Sequence, residues 1–521
     1  MLTLEQMTPE QKLGRVLCFR NPHRKGDFEF TLEMIKKGAC GCVQAIIDDK
    51  SRDLIKQLKD AADYPLLVVN DMERGYPRAG LPLYSAACMA AANNPEYIRL
   101  LGATIAKNAR EDGYTGTWCP VVDIQHTAYD PISTARHAGD SPEAVTAYAR
   151  ELLTAFNSYH FGGSAKHYPG GAISGVDTHM SEGINNVSEK ELLEYDLIPY
   201  LTLWREGLLS SIMVDHSVCP QIDPDYPASM SKKVIDVIRR QGFDGLLYSD
   251  SFAMMGILQK YGEKNAMVRA LNAGIDIILP NYRTSSREVY EMMLSAYNEG
   301  LISDERLDEA VRHVMAEEAR CAQIPTNPVP VPENVAEIFD NIARDSITAI
   351  TEEGVSAAID PKRRRLFIVL TELGFEEGGP VQEITTSNWY HPQNIIHTIH
   401  ELFPNAETHT LPEFPKSCEN DWALTAASKH DEVVFVTFCK SACYQGADAL
   451  TKRVEAVIRS IASSGKISAM VHFGNPLALR DLPKVPRRIF GYDSTPAQRY
   501  AFEALAGKFV PTGKCPYTKF M

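Results

Sequence analysis

The sequence predicts an α/β protein in which a (β/α)8, TIM-like barrel is followed by a second α/β sandwich domain. Short apolar or β-branched runs alternate with helical patterns through the first two-thirds of the 521 residues, which is typical of a parallel α/β architecture. Residues 324–332 contain four prolines and indicate a stiff connection between domains. Further apolar runs follow that connection, so we expect two domains.

Eight apolar runs precede the prolines, as many as the strands of such a barrel. They span residues 16–19, 42–47, 66–70, 116–120, 164–167, 211–214, 246–249 and 275–279. Between them, Ser141 followed by Pro142 predicts a helix start, and Gly162 closes that helical segment. Ser188 with Glu191 predicts a second helix start through a capping box.

The chain beyond the prolines has strand candidates of its own. They span 366–371, 433–438 and 467–473, and helical stretches such as 449–463 separate them. Continuous apolar runs of this kind are typical of strands buried on both faces. We therefore predict a catalytic barrel domain over 1–325, a linker over 326–345 and a C-terminal α/β sandwich domain over 346–521.

Composition narrows the class of protein. A hydrophobic content of 44% and a charged content of 23% are ordinary for a soluble enzyme, and no run is apolar and long enough to suggest a membrane span. The formal charge of −14 argues against a nucleic-acid surface, which needs a concentrated basic face. Eleven irregularly spaced cysteines favour reduced thiols, with no legible metal site. The start of the chain lacks the pattern of a secretory signal, so we expect a cytoplasmic location.

Polar residues stand where the predicted strands end, which is where the chemistry of such barrels collects. They are Asn70 with Asp71, Asp123, Lys166 with His167, Asp215 with His216, Asp250, and Asn281. A barrel with this rim is expected to bind a polar ligand. His167 and His216 could also be core histidines with satisfied hydrogen bonds.

The most informative motif is Lys166-His167-Tyr168-Pro169-Gly170, followed by Asp177-Thr178-His179. A carboxylate two residues from a histidine on an extended loop can reach a ring nitrogen and raise its basicity, which suits proton transfer. The alternative is that Asp177 and His179 are loop residues that bond only to the backbone.

Asp250 directly follows an apolar run, so its carboxylate is expected at the mouth of the barrel. It could be a nucleophile or could cap the following helix. A carboxylate and an acid/base group on either side of one site are what glycoside hydrolysis requires. Lys166, His167 and the planar guanidinium of Arg136 offer donors to sugar oxygens, and the carboxylate of Asp71 can accept from sugar hydroxyls.

These motifs resemble glycoside hydrolase family 3, in particular its β-N-acetylglucosaminidase (NagZ-type) branch. The resemblance rests on 166–170, the Asp177 to His179 motif and 245–251, and extends to stretches such as 7–14, 216–231 and 511–514. It implies a barrel followed by an α/β sandwich domain. It also implies retaining, exo-acting removal of terminal β-linked N-acetylglucosamine from peptidoglycan fragments or chito-oligosaccharides, without a cofactor or metal.

The resemblance implies a role for each matching residue. Asp250 matches the nucleophile, His179 the acid/base and Asp177 the residue that orients this histidine. The positions that hold the sugar match Asp71, Arg136, Lys166 and His167.

The chain departs from the family pattern in three places, one of which is a shortened turn after the Asp71 motif. Residues 170–176 lack the usual His-Gly-Asp-Thr run, although the spacing to Asp177 is kept, and Ser251 stands where the family often has a second aspartate.

Three alternatives to an N-acetylglucosaminidase stay open from the sequence. A histidine acid/base does not become an anion when it gives up its proton, so it repels an incoming phosphate less than a carboxylate would. The rivals to hydrolysis of N-acetylglucosaminides are therefore a phosphorylase, with phosphate as second substrate, and a β-glycosidase of different sugar preference. A sugar-binding protein without catalysis is the third candidate, and the presence of Asp177, His179 and Asp250 together argues against it.

Overall fold

The computed structural model describes residues 2–20, 26–131, 134–170, 175–372, 375–376, 378, 390–440, 443–444, 448–493 and 496–520. The chain forms two compact units. The first comprises Met1–Ala79, Ile98–Thr127 and Asp140–Val331, and the second comprises Gly80–Tyr97, Ala128–Gly139 and Pro332–Met521. The predicted domain boundaries stay a prediction. They assign every residue before the prolines to the barrel domain, whereas Gly80–Tyr97 and Ala128–Gly139 group with the second unit.

Hydrogen bonds within the second unit explain why one of those segments belongs to it. The backbone N–H and the hydroxyl of Ser85 both donate to Asp493 Oδ2, at 2.7 and 2.8 Å. The Tyr84 hydroxyl donates to Phe339 O at 2.7 Å. Because Ser85 and Asp493 are buried, these bonds are shielded from competition by water.

The first unit is an eight-stranded parallel barrel with one added hairpin, which confirms the predicted fold. Its strands are β1 Cys18–Arg20, β2 Cys42–Gln44, β3 Leu67–Asn70, β4 Gly116–Thr117, β5 Gly162–Tyr168, β6 Ser211–Val214, β7 Val218–Cys219, β8 Asp223–Pro227, β9 Leu246–Ser251 and β10 Ile277–Leu279. The barrel order is β1-β2-β3-β4-β5-β6-β9-β10, and β7 pairs with β8 outside it. Each of the eight predicted runs contains or overlaps one barrel strand.

The first and last barrel strands meet through a narrow seam. Leu17 and Ile278 form an isolated parallel bridge, and Ile278 N donates to Val16 O at 2.9 Å. On the far side, a Cβ at Gly116 would lie 2.8 Å from Gly162 O, so glycine is required for the close approach of β4 and β5.

Helices surround the barrel and flank the second sheet. In chain order along both units they are α1 Pro9–Arg15, α2 Asp27–Lys36, α3 Ser51–Ala61, α4 Ala86–Ala91, α5 Pro95–Glu111, α6 Pro142–Ser158, α7 Glu189–Glu191, α8 Ile198–Arg205, α9 Lys232–Arg240, α10 Met255–Tyr261, α11 Glu263–Ala273, α12 Ser286–Asn298, α13 Asp304–Cys321, α14 Val335–Asp345, α15 Pro392–Leu402, α16 Ser417–Ser428, α17 Lys452–Ala462 and α18 Ala497–Leu505. None of the helices in the described ranges combines the length and the apolar character needed to cross a membrane.

The two predicted helix starts are present. Ser141 accepts from Ala144 N at the start of α6, and Ser188 with Glu191 forms the capping box of α7. Helix α6 ends at Ser158, four residues before Gly162, because Gly162 is already the first residue of β5.

The second unit contains a six-stranded sheet. Its strands are β11 Thr348–Thr351, β12 Arg365–Thr371, β13 Ala406–Pro412, β14 Val433–Cys439, β15 Ile467–Gly474 and β16 Arg487–Gly491. The order is β11-β16-β15-β14-β12-β13, and every pair is parallel except β11 with β16. The three strands predicted for this region are β12, β14 and β15, which are almost wholly buried.

One buried carboxylate organises the barrel next to its last strand. Asp276 is fully buried and accepts from Leu247 N at 2.9 Å and Arg239 Nη2 at 3.1 Å. It also accepts from Arg306 Nη2 at 2.8 Å, and His313 Nδ1 lies 2.9 Å from it. Burial by itself would raise the pKa of Asp276, but His313 and the two arginines outweigh burial and lower it.

Replacing this carboxylate should destabilise the barrel in a pH-dependent way. Asp276→Asn removes the buried counter-charge that faces Arg239 and Arg306, whose side chains are only 20% and 10% exposed, so we expect a loss of about 3 kcal/mol at pH 7. Because the folded-state pKa is lowered, the contribution of Asp276 is present above the unfolded pKa and is lost as the pH falls through the folded pKa. Urea unfolding at pH 7 and at about pH 3 should show the gap between wild type and variant narrowing.

The matched control for this test is Asp236→Asn on α9. Asp236 pairs with Lys232 at 2.7 Å at the protein surface, so its loss should cost at most about 0.5 kcal/mol. Equal destabilisation by the two variants would contradict the central role of Asp276.

Candidate active site

Six of the seven predicted site residues lie in the barrel unit, at or after the carboxyl ends of strands β3, β5 and β9. Asp71 follows β3, Lys166 and His167 are in the last residues of β5, and Asp250 is the penultimate residue of β9. Asp177 and His179 lie on the connection after β5. Carboxyl ends of parallel strands lie on one rim of a barrel, so the fold brings these side chains to a common mouth.

Lys166 holds two carboxylates at this rim. Its Nζ lies 2.5 Å from Asp71 Oδ1 and 2.6 Å from Glu73 Oε1. The lysine side chain is 3% exposed, whereas that of Asp71 is 52% exposed. The buried ammonium therefore orients Asp71 while leaving its carboxylate accessible to a ligand, as the sugar-binding prediction requires.

Asp123 holds His167 through both the backbone and the ring. His167 N donates to Asp123 Oδ1 at 3.0 Å, and His167 Nδ1 lies 2.6 Å from Asp123 Oδ2. Since a carboxylate accepts and cannot donate when ionised, the Nδ1 atom carries the proton. The imidazole is therefore fixed in orientation, and its side chain is 14% exposed at the rim. Its role in binding sugar stays a prediction.

Asp177 holds His179 in the same manner. Asp177 Oδ1 accepts from His179 N at 3.0 Å and lies 3.0 Å from His179 Nδ1. Asp177 is buried, and the His179 side chain is 22% exposed. Asp177 therefore bonds to the backbone, as the alternative interpretation expected, and also pairs with the imidazole. This pair places the Nδ1 proton toward Asp177 and directs proton transfer with a ligand to Nε2.

The loop that carries this pair is tied to the neighbouring strand ends. His179 O accepts from Met255 N at 3.0 Å, and a Cβ at Gly256 would lie 2.7 Å from the Ser181 carbonyl. On the other side, Asn185 Nδ2 donates to Gly170 O at 2.7 Å. Because Met255 begins the helix that follows β9, the position of His179 is coupled to the strand that carries Asp250.

The predicted departure from the family pattern falls largely outside the described residues. Of the altered stretch, positions 171–174 are not described. Gly175 and Val176 are described, and both are exposed.

Asp250 is placed as an anionic side chain and not as a helix cap. Its Oδ1 accepts from Ser251 N at 2.6 Å. Helix α10 begins later, after Met254, with no side-chain hydrogen bond at its start. Burial by itself would raise the pKa of Asp250, but the facing imidazoles of His167 and His216 and the Ser251 N–H lower it to about 2. The group is therefore ionised at neutral pH, as a nucleophile must be.

Asp215 and His216 directly follow β6 and lie next to the end of the strand that carries Asp250. His216 Nδ1 lies 2.7 Å from Ser229 Oγ and its Nε2 lies 3.1 Å from Ser251 O. Burial lowers the pKa of His216 and raises that of Asp215. The alternative of a satisfied buried histidine is thus the correct one for His216, which positions the end of β9.

Two features of the rim were not predicted. Arg20, at the end of β1, donates from Nη1 to Ser251 Oγ at 2.6 Å. His126 forms a third imidazole–carboxylate pair, with Nε2 2.5 Å from Asp196 Oδ1. Arg20 directly follows the first apolar run, so its position was a usable signal. The pairing of His126 with Asp196 joins residues 70 positions apart and leaves no local pattern.

Arg136 belongs to the second compact unit. It lies on the short 3-10 turn Thr134–Arg136 and is partly exposed. Its assignment to the sugar stays a prediction. Among the described residues, no group of three or more His, Cys, Asp or Glu side chains is placed to hold a metal ion.

Comparison with known proteins adds the family context. A profile described as "Glycosyl hydrolase family 3 N terminal domain" matches residues 31–316. A protein of Cellulomonas fimi named "Beta-N-acetylglucosaminidase/beta-glucosidase" is 25% identical over 557 aligned positions, which cover 99% of this chain and 95% of the relative.

Two solved structures share the fold over nearly their whole length. A family 3 β-N-acetylglucosaminidase from Paenibacillus sp. str. FPU-7 has a TM-score of 0.81 at 22% identity, covering 98% of this chain and 99% of its own. The structure named "Beta-glucoside phosphorylase BglX" also has a TM-score of 0.81, at 21% identity, with coverage of 99% and 94%.

The Asp177–His179 and Asp123–His167 pairs should respond differently to the same substitution. Asp177→Asn removes the negative charge that stabilises the His179 imidazolium, so we expect a loss on the order of 100-fold in kcat/KM with poor leaving groups and a smaller loss with activated aryl glycosides. Asp123→Asn disturbs His167, which has no predicted role in proton transfer, so its loss should be the same for both substrates. The same leaving-group dependence in both variants would contradict the acid role of His179.

Proposed function

The chain belongs to glycosyl hydrolase family 3, and we propose that it is a retaining exo-β-N-acetylglucosaminidase. A glycoside hydrolase acts on a carbohydrate substrate. The finer assignment rests above all on the Asp177–His179 pair, tied by Met255 N to the helix that follows the Asp250 strand. The name of the Cellulomonas fimi relative, which includes β-N-acetylglucosaminidase, supports the same sugar.

The proposed first step breaks the glycosidic bond. The ionised carboxylate of Asp250 attacks the anomeric carbon, and the Nε2–H of the His179 imidazolium donates its proton to the departing oxygen. Asp177 stabilises the imidazolium through the Nδ1 contact at 3.0 Å. The products of this step are a glycosyl ester of Asp250, a neutral imidazole and the free aglycone alcohol.

The proposed second step releases the sugar with the anomeric configuration retained. The neutral Nε2 of His179 removes a proton from water, the oxygen attacks the anomeric carbon, and the Asp250 carboxylate leaves. Two inversions at one carbon give net retention. The side chains that would hold the sugar are Asp71, oriented by Lys166, and His167, oriented by Asp123.

Peptidoglycan fragments or short chito-oligosaccharides are the proposed substrates, and the cytoplasm is the proposed compartment. None of the eleven cysteines, all within the described ranges, forms a disulfide, and disulfides are most frequent in proteins of oxidising compartments.

Phosphorolysis is the second candidate, favoured by one observation. The acid/base group is an imidazole, which is neutral after the first step and so repels a phosphate dianion less than a carboxylate would. Phosphate oxygen would then attack the glycosyl ester in place of water and yield a sugar 1-phosphate.

A direct assay separates these candidates. We expect release of 4-nitrophenol from the β-N-acetylglucosaminide to exceed that from the β-glucoside, in phosphate and in phosphate-free buffer alike. Mass spectrometry of the products identifies free sugar or sugar 1-phosphate. A preference for the glucoside would overturn the sugar assignment, sugar 1-phosphate would establish phosphorolysis, and no turnover of either glycoside would favour a non-catalytic binder.

The two catalytic roles are tested by removing each side chain. His179→Ala should lower kcat/KM by about 100- to 10,000-fold with poor leaving groups, much less with 4-nitrophenyl glycosides, and should remove the alkaline limb of the pH profile. Asp250→Ala should abolish turnover with every leaving group. Azide added to Asp250→Ala should restore turnover and give the α-glycosyl azide, because it attacks from the face that the carboxylate vacated.

Each variant has an outcome that contradicts its role. Near-normal turnover of Asp250→Ala without azide would show that another group is the nucleophile. Equal losses for His179→Ala with good and poor leaving groups would show that His179 does not protonate the aglycone.

A further inference from the structure

Arg20 connects three strand ends around the sugar pocket. Its Nε donates to Gln44 Oε1 at 2.6 Å, which belongs to β2, and its Nη1 donates to Ser251 Oγ at 2.6 Å and to Pro280 O at 2.8 Å. Ser251 ends β9 and Pro280 follows β10. The guanidinium therefore spans the seam between the first and last strands at the rim of the barrel.

All of these acceptors are neutral, so none cancels the charge of Arg20. The Tyr282 ring centroid lies 5.2 Å from Arg20 Cζ, which adds a cation–π contact. Burial lowers the pKa of Arg20, while the nearby Cys18, Asp71, Asp250 and Tyr282 raise it. An arginine stays protonated even in such surroundings, and its positive charge therefore acts on the carboxylates of Asp71 and Asp250.

Ser251 transmits the position of Arg20 to the predicted nucleophile. Its hydroxyl accepts from Arg20 and, at 3.2 Å, from Ala253 N, and its carbonyl faces His216 Nε2 at 3.1 Å. Its backbone N–H donates to Asp250 Oδ1 at 2.6 Å. Ser251, whose N–H orients the carboxylate, is thus held through both its hydroxyl and its carbonyl.

We propose that Arg20 is a positioning residue for the reaction, which fixes through Ser251 the peptide unit that holds Asp250 and supplies the pocket with a fixed positive charge. The inference rests on the proposed role of Asp250 as nucleophile. When a sugar displaces water from Asp250, its carboxylate loses the stabilisation that the water provided. The guanidinium of Arg20 is already held in place, so it replaces part of that stabilisation without having to reorganise.

The test uses the full-length protein and separates charge from geometry. Arg20→Met removes both the charge and the hydrogen bonds, Arg20→Lys keeps the charge, and Ser251→Ala removes only the hydroxyl that Arg20 donates to. The matched control is Arg110→Met, because Arg110 is also held by neutral acceptors, the carbonyls of His160, Cys321 and Gln323, at the opposite end of the barrel.

The main measurement is the rate at which 5-fluoro-N-acetylglucosaminyl fluoride labels Asp250, followed by the mass of the intact protein and located by peptide mapping. We expect Arg20→Met to slow labelling on the order of 100-fold, as for a misplaced reacting group, and Ser251→Ala to slow it less. Turnover of good and poor leaving groups should fall by the same factor, in contrast to variants of the His179 pair.

The pH profile identifies the contribution of charge. The groups that face Asp250, namely His167, His179, His216 and Asp215, are unchanged in these variants. The acid limb of kcat/KM should therefore move to higher pH in Arg20→Met and stay in place in Arg20→Lys and Ser251→Ala.

The outcomes distinguish this inference from the proposed function. If the wild type is not labelled at Asp250, the proposed nucleophile is wrong. If the wild type is labelled and Arg20→Met is labelled as fast as Arg110→Met, with the same acid limb, the role of Arg20 is wrong. Should Arg20→Met fail to fold, wild-type labelling rates in both Arg20→Lys and Ser251→Ala would overturn the inference.

Discussion

Closure of the parallel sheet at the seam between β1 and β10 is the constraint on which the site depends. The Leu17–Ile278 bridge and the 2.9 Å bond from Ile278 N to Val16 O join the two strands. Because closure puts every carboxyl end on one rim, Arg20 from the first strand can reach Ser251 at the end of β9. An open sheet would separate these residues by its full width.

The same arrangement occurs more than once at that rim. In each case a buried carboxylate orients an imidazole that lies closer to solvent. Asp123 and Asp177 each accept from the backbone N–H and approach the Nδ1 of the same histidine. This double contact fixes both the position and the tautomer of the ring. His216 differs because its two ring nitrogens face Ser229 Oγ and Ser251 O, both neutral, and it serves the packing behind Asp250.

Strands could be predicted from the sequence where they are buried, because burial requires a run of apolar residues. Strands β12, β14 and β15 are central and almost wholly buried, and their apolar runs were found. Edge strands β11 and β13 expose part of their residues, and β16 begins with two partly exposed arginines, so no apolar run marks them. The grouping of 80–97 with the second unit also escaped prediction, because it depends on contacts such as Ser85 with Asp493.

The sequence by itself determined the barrel, the strand ends that carry polar residues, and the pairing of Asp177 with His179, because each follows from periodicity or from a spacing of two residues. Tertiary structure alone decided which acceptors each buried cation engages. Lys166 engages Asp71 and Glu73, and Arg20 engages Ser251, across 231 positions of chain. These pairings depend on which strand ends come close together when the barrel closes. No local sequence pattern specifies those distances.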